Sequence, residues 1–600
     1  MVVDALGIAI TYTLAITILR LYINTDFDYK MAFLMLPFVI LFKLLFYFVF
    51  KVYHLVLVNV GLDEVVKIST NIVLSNIVII TITLAIPNFE FIPEIFFVFT
   101  TLFEVFIAVS PRILRRLLKL LMPSHMIMSG KRTLVVGAGP GGKIVLNEIR
   151  NNPNIYNNII AFVDDDEQKI GQLLSGYEIL GPLKRIPYLI DEFAIQEVII
   201  AIANIDRKQF NDMVQLISTR SVTIKRIPQL SEYKEDQENK IIDVNVEDLL
   251  SRDPVELDKS GIKQFIHDEV VLVTGAGGSI GSELVRQIVE YEPKKLILFD
   301  IYENGVYDLQ AELNIRFRES KHPVPLIVLI GSVYNYQRLK TIFETYQPSL
   351  VFHAAAYKHV PLMEDSAVEA VRTNILGTYN VCKLADHYQA KKFVLVSSDK
   401  AVRPTNVMGA TKRFAEMIIQ SFANQSKTSY SAVRFGNVLG SNGSVVPLFK
   451  KQIENGGPIT LTDKKIIRYF MTIPEASGLI LQSAVYAKGG EIFILDMGEP
   501  VKIYDLAIKM IKLSGYKPFE DIDIQIIGLR PGEKLYEELL VDKDNGHIQT
   551  NNEKIFIEKL PCQIDINQEI SDILEIFETI ENGDIKKMIK KYVDTYELKT

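Results

Sequence analysis

The sequence predicts an α-helical membrane region followed by two α/β domains, and three observations carry that prediction. Most of the apolar excess lies in the first 115 positions, in four runs that each approach the length of a bilayer span. Two glycine-rich turns, at 137–142 and 275–281, each follow a short apolar run and open an amphipathic stretch. Beyond residue 130, short apolar runs alternate with longer mixed ones, the pattern of strands alternating with helices around a parallel sheet.

The membrane region comes first. A chain of 600 residues is too long for one ordinary domain. It is 48% hydrophobic with a mean hydropathy of +0.19, high for a wholly soluble protein. Segments 6–22, 31–50, 68–86 and 95–111 are each near the length that crosses about 30 Å of hydrocarbon. The N-terminus has no basic stretch and three further segments follow, which argues against a cleaved signal peptide. Arg112, Arg115, Arg116 and Lys119 follow the fourth segment, and Lys51 and Lys67 flank the second connection. The third connection, 87–94, has acidic but no basic residues. This bias puts both termini in the cytoplasm, although Arg20 and Lys30 run slightly against it. Lys43 and Glu104 lie at similar depth in the second and fourth segments, so an interhelical ion pair is expected, with snorkelling of Lys43 as the alternative.

The totals exclude several classes. A net charge of −7 argues against nucleic-acid binding by bulk electrostatics. Two distant cysteines, Cys382 and Cys562, point to a reducing compartment without a disulfide framework. The eight histidines form no ligand-spaced cluster, so no metal site is expected. The domains read as a transmembrane region at 1–115, a basic linker at 116–130, a first α/β domain at 131–228, a charged linker at 229–260 and a second α/β domain at 261–600.

Both α/β domains carry a nucleotide-binding signature. In the first, a strand at 133–136 leads into Gly137-Ala-Gly139-Pro-Gly141-Gly142 and a helix starting near Lys143. Glycines there admit a phosphate to the backbone, and the helix N-terminus favours its charge. Asp164 ends the next strand, where a ribose-binding acid would stand. The domain is Rossmann-like; it carries no acid–base cluster, and it reads either as structural or as the site of a regulatory nucleotide.

The second signature is stronger. A strand at 270–274 leads into Gly275-Ala-Gly-Gly278-Ser279-Ile280-Gly281, the spacing of an extended short-chain dehydrogenase fold. Asp300 ends the next strand, where its carboxylate would accept both ribose hydroxyls of NAD and repel the extra phosphate of NADP. A later strand at 350–353 runs into Ala354-Ala355-Ala356, small enough for close contact with a cofactor. Ser332 stands where related folds often place an Asp for the adenine amino group.

The residues for chemistry follow. A buried strand at 393–396 ends at Ser397-Ser398-Asp399-Lys400, at the end of the sheet where doubly wound folds bind ligands. Met408 and Lys412 lie four residues apart on one face of a helix. Ordinary short-chain dehydrogenases carry Tyr at the first of these positions; Met cannot exchange a proton.

Five ordered motifs resemble the membrane-bound bacterial UDP-N-acetylglucosamine 4,6-dehydratases of capsule and polysaccharide synthesis. They are TGAGGSIGSEL at 274–284, HAAAYKHVPLME at 353–364, SSDKAVRPTNVMGATKR at 397–413, RFGNVLGSNGSVVPLF at 434–449 and GLRPGEKLYEEL at 528–539. The resemblance implies NAD as cofactor, a UDP-sugar as substrate, a bacterial inner-membrane location with the catalytic domain in the cytoplasm, and a homo-oligomer. It implies Asp399 as the acid for the departing 6-hydroxyl and Lys400 as the base at carbon 5. Both need shifted pKa values, a protonated Asp and a neutral Lys. It further implies that Ser398 hydrogen-bonds the 4-hydroxyl and Lys412 holds the nicotinamide ribose. Met408 leaves open what removes the 4-hydroxyl proton, and ionised Asp399 is the nearest candidate in sequence. Asn437, Arg468 and Arg530 are candidates for the diphosphate, Thr460 for the same side, Lys358 and His359 for the sugar, and Glu533 for a ribose hydroxyl. The Met-containing branch implies retention at carbon 5. A 4-epimerase and a catalytically inert membrane scaffold are the competing readings.

Overall fold

A computed structural model describes residues 2–22, 29–50, 62–85, 94–121, 130–152, 155–228, 241–244, 248, 255–318, 323–537, 547–558, 566–577 and 582–597. The chain forms two compact units, Met1–Ser129 and Gly130–Thr600.

The first unit contains helices Val2–Tyr22, Tyr29–Val49, Leu62–Ala85 and Glu94–Leu121. Each contains one expected apolar segment almost entirely. The fourth runs ten residues beyond the expected end at 111, so the first part of the supposed linker is helical. Two helices hold a stretch long and apolar enough to cross a membrane, Lys30–Val49 and Val65–Ala85; Ala5–Leu21 and Ile95–Ser110 are apolar but shorter. The second helix turns Leu34, Phe38, Leu41 and Leu45 outward. The connection at 87–93, Lys51 and the side chains of Arg112, Arg115, Arg116 and Lys119, on which the expected orientation rests, lie outside the described residues.

Inside this unit Lys43 is fully buried and pairs with Glu104, so it does not snorkel. Its ammonium also donates to Asn76 Oδ1 at 2.6 Å, and Tyr47 donates to Glu104 at 2.7 Å. Asn76 in turn donates to Thr101 at 2.9 Å. The charges are thus enclosed by hydrogen bonds from three helices, which is how a buried ion pair becomes tolerable.

The second unit holds two large sheets. The smaller has seven strands in the order Leu173–Leu174, Tyr177–Leu180, Asn157–Val163, Lys131–Val136, Glu197–Ile200, Thr223–Arg226, Ile242–Asp243. Its central strands are parallel, as expected from the alternating pattern. The larger has nine: Leu326–Ile330, Lys295–Asp300, Val270–Thr274, Leu350–His353, Lys392–Val396, Ser429–Arg434, Ile492–Leu495, Ile555–Glu558 and Ile548–Gln549. The first seven are parallel and the last two antiparallel. Strand order reverses between Val270–Thr274 and Leu350–His353, the crevice where doubly wound sheets bind ligands. Helix Ser279–Val289 starts three residues before the expected Ser282, because Gly278 already adopts the extended cap conformation. The two α/β domains touch through a helix: Leu513, ending helix Ile503–Leu513, is buried in the core of the smaller sheet's domain.

Candidate active site

The cofactor crevice is built from backbone first. Gly275 has φ +70°, and a Cβ there would lie 2.5 Å from the Ala355 nitrogen. A Cβ on Gly281 would lie 2.0 Å from the Gly275 carbonyl, so this glycine lets the helix approach the strand. Asp300 is almost buried; its two oxygens accept the Gly277 and Tyr302 amides at 2.7 and 2.9 Å, which fixes the carboxylate over the glycine turn. Ser279 accepts the Asn442 amide at 3.2 Å. Ile280 packs half-buried against the core beside the sheet, as does Ala354. Ala355 does the same on the other face, and Ala356 follows it in the turn after the strand. Ser332 accepts the Tyr334 amide at 3.2 Å, so its hydroxyl caps its own turn. His353 is buried between Thr274 and Thr378, at 2.7 and 3.0 Å, and burial lowers its pKa to about 3. It is therefore a neutral structural group at the strand end.

Helix Val407–Gln425 supplies the next layer. Asn406 caps it by accepting the Gly409 amide at 2.8 Å. Gly409 has no room for a side chain: a Cβ would lie 2.2 Å from the Lys400 carbonyl, so the helix lies directly against the Asp399–Lys400 loop. Met408 is buried, and Lys412 reaches back to the Val396 carbonyl at 2.9 Å. Burial lowers the Lys412 pKa to about 8. A glycine turn, a fixed carboxylate and a buried lysine together suit a dinucleotide.

The Asp399–Lys400 pair sits at the C-terminal end of strand Lys392–Val396, as the sequence places it. Lys400 Nζ lies 3.0 Å from Asp399 Oδ1, and Ser398 donates to the same oxygen at 2.8 Å. A residue the sequence reading missed joins them. Glu537 lies 2.9 Å from Lys400 and 3.1 Å from Arg468, and it accepts from Asn437 at 3.2 Å. It belongs to the GLRPGEKLYEEL motif, but nothing in sequence spacing links it to a loop more than a hundred residues earlier.

Electrostatics follow from this grouping. Burial pushes the Asp399 pKa up, with Glu537 adding to the shift against Lys400, so this carboxyl is biased toward the protonated acid. Lys400 departs from expectation. Burial favours its neutral form, but Asp399 and Glu537 together outweigh that and raise its pKa. In this state Lys400 is an ammonium, the reverse of what a base requires.

The remaining candidates divide. Arg468 and Asn437 converge on Glu537, and Glu533 lies 3.7 Å from Arg468 and accepts from Thr462 at 3.3 Å. A small cavity of about 80 Å³ is lined by Asp399, Lys400, Arg530, Glu533 and Glu537. The His359 ring lies against Gly443, and burial lowers the pKa of both Lys358 and His359. Thr460 is engaged by Gln452, at 2.7 Å, in the strand pair with Ile524–Ile526, and does not line that cavity.

The first α/β domain repeats this arrangement of glycine turn and strand-end carboxylate. Gly137 has φ +106°, and a Cβ on Gly142 would lie 2.3 Å from the Gly137 carbonyl. Asp164 accepts the Ala138 and Asp166 amides at 2.8 and 3.0 Å, the bonds that Asp300 makes in the second domain. It differs in carrying a cation, Lys169, at 3.3 Å. A cavity of about 750 Å³ opens above Gly139, Asp164 and Lys169.

Comparisons with known proteins agree with this architecture. Residues 271–560 match the family described as polysaccharide biosynthesis protein, and residues 48–228 match a CoA-binding domain family. The capsular polysaccharide biosynthesis protein CapD of Staphylococcus aureus is 42% identical over 91% of this chain and 90% of its own length. A UDP-N-acetylglucosamine 4,6-dehydratase (inverting) of Campylobacter jejuni is 32% identical over 46% of this chain and 79% of its own. A UDP-glucose 4-epimerase of Rickettsia canadensis is 33% identical over 46% and 79%. The catalytic half is thus of the nucleotide-sugar dehydratase/epimerase type. With CapD matched at that identity along nearly its whole length, the chain belongs to the polysaccharide biosynthesis protein family.

Proposed function

We propose that the protein is a membrane-anchored, NAD-dependent 4,6-dehydratase of UDP-N-acetylglucosamine. The observation that carries this reading is the Asp399–Lys400 pair, the carboxyl buried and the lysine half-buried, with Met408 where a proton-exchanging Tyr would serve an epimerase. An epimerase needs no acid for a departing hydroxyl, whereas Asp399 is biased toward its protonated form.

NAD bound in the crevice would take hydride from carbon 4 and return it to carbon 6. Asp300 would accept the ribose hydroxyl hydrogens, which favours NAD over NADP. Lys412 would hold the nicotinamide ribose, and Ser398 would orient the 4-hydroxyl. Asp399, whose pKa is raised to about 7 and which is therefore still partly ionised near neutral pH, would take the 4-hydroxyl proton and, once protonated, deliver it to the 6-hydroxyl as water leaves. Lys400 would remove the proton at carbon 5, made acidic by the ketone at carbon 4, and after exchange with solvent return a proton to carbon 5 as hydride reaches carbon 6. Arg468, Asn437 and Arg530 would bind the diphosphate. The outward leucines of the second helix suit contact with lipid, and the bias of basic residues in the sequence would put the catalytic domain in the cytoplasm.

The test is incubation with UDP-N-acetylglucosamine in deuterated water, read by mass and NMR. A 4-keto-6-deoxy product with deuterium at carbon 5 is expected. An epimerised sugar would establish the epimerase reading, and unchanged substrate an inert scaffold.

A further inference from the structure

The three donors around Glu537 come from three separate elements. Lys400 belongs to the catalytic loop, Asn437 to strand Asn437–Val438 and Arg468 to strand Ile467–Met471. A carboxylate that is almost enclosed and held by two cations and an amide is an anion site filled from within. Two of those donors are the ones a UDP-sugar diphosphate would need. A diphosphate offers more oxygens and more charge to a guanidinium than one carboxylate does.

We propose that Glu537 is a positioning residue that holds the diphosphate donors before substrate binds, and that its displacement by the diphosphate frees Lys400 for proton transfer. The proposal rests on the UDP-sugar reading of this site. Placement supports it. A cavity lies between the 530–537 segment and the Asp399–Lys400 loop with Glu537 and Arg530 both in its wall, so Glu537 occupies the charge-matched place that a diphosphate entering there would take.

Charge supports it as well. The groups facing Lys400 are Asp399, Glu537 and the Asn437 oxygen at 3.5 Å. Those facing Arg468 are Glu537, Glu533 and the Lys534 and Leu535 carbonyls. Lys534 points elsewhere, to the Arg403 carbonyl at 2.9 Å. Removing Glu537 leaves Lys400 with one carboxylate, Asp399, which becomes neutral once it has taken the 4-hydroxyl proton. A buried lysine beside a neutral acid loses its own proton readily. Lys400 is thus kept charged in the empty site and becomes a base only with substrate in place.

The experiment uses the full-length protein in detergent and the variants Glu537→Gln and Glu537→Asp. UDP binding is measured by calorimetry, and turnover of UDP-N-acetylglucosamine across pH. Glu537→Gln should bind UDP about tenfold tighter, since the competing charge is gone. Its kcat/KM profile, which reports the free enzyme, should extend to lower pH by about one unit, while the kcat profile stays put. Glu537→Asp, whose shorter arm reaches fewer donors, should tighten UDP binding by a smaller factor and decides the matter should the Gln variant not fold. UDP binding that is unchanged or weaker in the variants would overturn the role of Glu537 alone. Failure of the wild-type protein to bind UDP would overturn the UDP-sugar reading and this proposal with it.

Discussion

Asp399 is the residue on which the proposed chemistry depends, because Met408 at the usual Tyr position cannot move a proton. Burial and Glu537 hold its carboxyl toward the protonated form, while Ser398 and Lys400 keep an oxygen oriented. Asp399→Asn keeps the shape and removes the proton. It should retain bound NAD and lose turnover by roughly 10²- to 10⁴-fold, the usual weight of acid–base catalysis. Absorbance of enzyme-bound NADH after mixing with substrate separates the two steps. No NADH is expected, because the variant cannot take the 4-hydroxyl proton; NADH forming at the wild-type rate would show that hydride transfer does not need Asp399. The position of the pair at a strand end was legible in sequence. The sign of the Lys400 shift was not, because it sets burial against two carboxylates, and one of them, Glu537, is brought near only by folding.

At the scale of elements, the catalytic loop rests on a buried ion network between helix Val407–Gln425 and strand Ser429–Arg434. Arg434 meets Glu416 through two bonds of 2.6 Å and also pairs with Glu558. Glu416 accepts from Ser397 at 2.6 Å and from Arg413 at 3.0 Å, which ties the network to the residue preceding Ser398. Sequence places Lys412, Arg413 and Gln420 one turn from Glu416 but gives no means to identify Arg434 as its partner. Arg434→Met takes the two guanidinium bonds from the buried Glu416, leaving it only Arg413 and Ser397, and should cost about 3 kcal/mol. The double variant Glu416→Leu with Arg434→Met removes both charges and should recover most of that. Thermal unfolding of the two proteins decides it: equal losses would mean the pair is not energetically coupled.

At the scale of the whole molecule, every residue assigned to catalysis, cofactor or substrate lies after residue 255, so a chain starting there should still turn over substrate. It should also be less stable. Leu513 is buried in the core of the first α/β domain, and exposing it forfeits roughly 1.5–3 kcal/mol. Turnover and thermal unfolding of the purified truncated protein measure both effects. A folded but inactive product would mean that the first α/β domain contributes to the site.

The sequence by itself determined the order of the parts. Hydropathy marks the apolar helices because burial or lipid contact acts on long local runs. The strand–glycine–helix units are legible because a tight turn, a phosphate cradle and a strand-end acid lie within about thirty residues of one another. The strands at 270–274 and 350–353 and the ends of the Asp300 and Asp399 strands follow directly. Tertiary structure alone decided which distant groups meet. It brought Glu537 onto Lys400, Arg468 and Asn437, enclosed Lys43 with Glu104 and Asn76, and engaged Thr460 with Gln452 away from the small cavity. The physical reason is range. Periodicity and turn chemistry act between near neighbours in the chain, whereas charge pairing and desolvation act through space and depend on where the packed core carries each side chain.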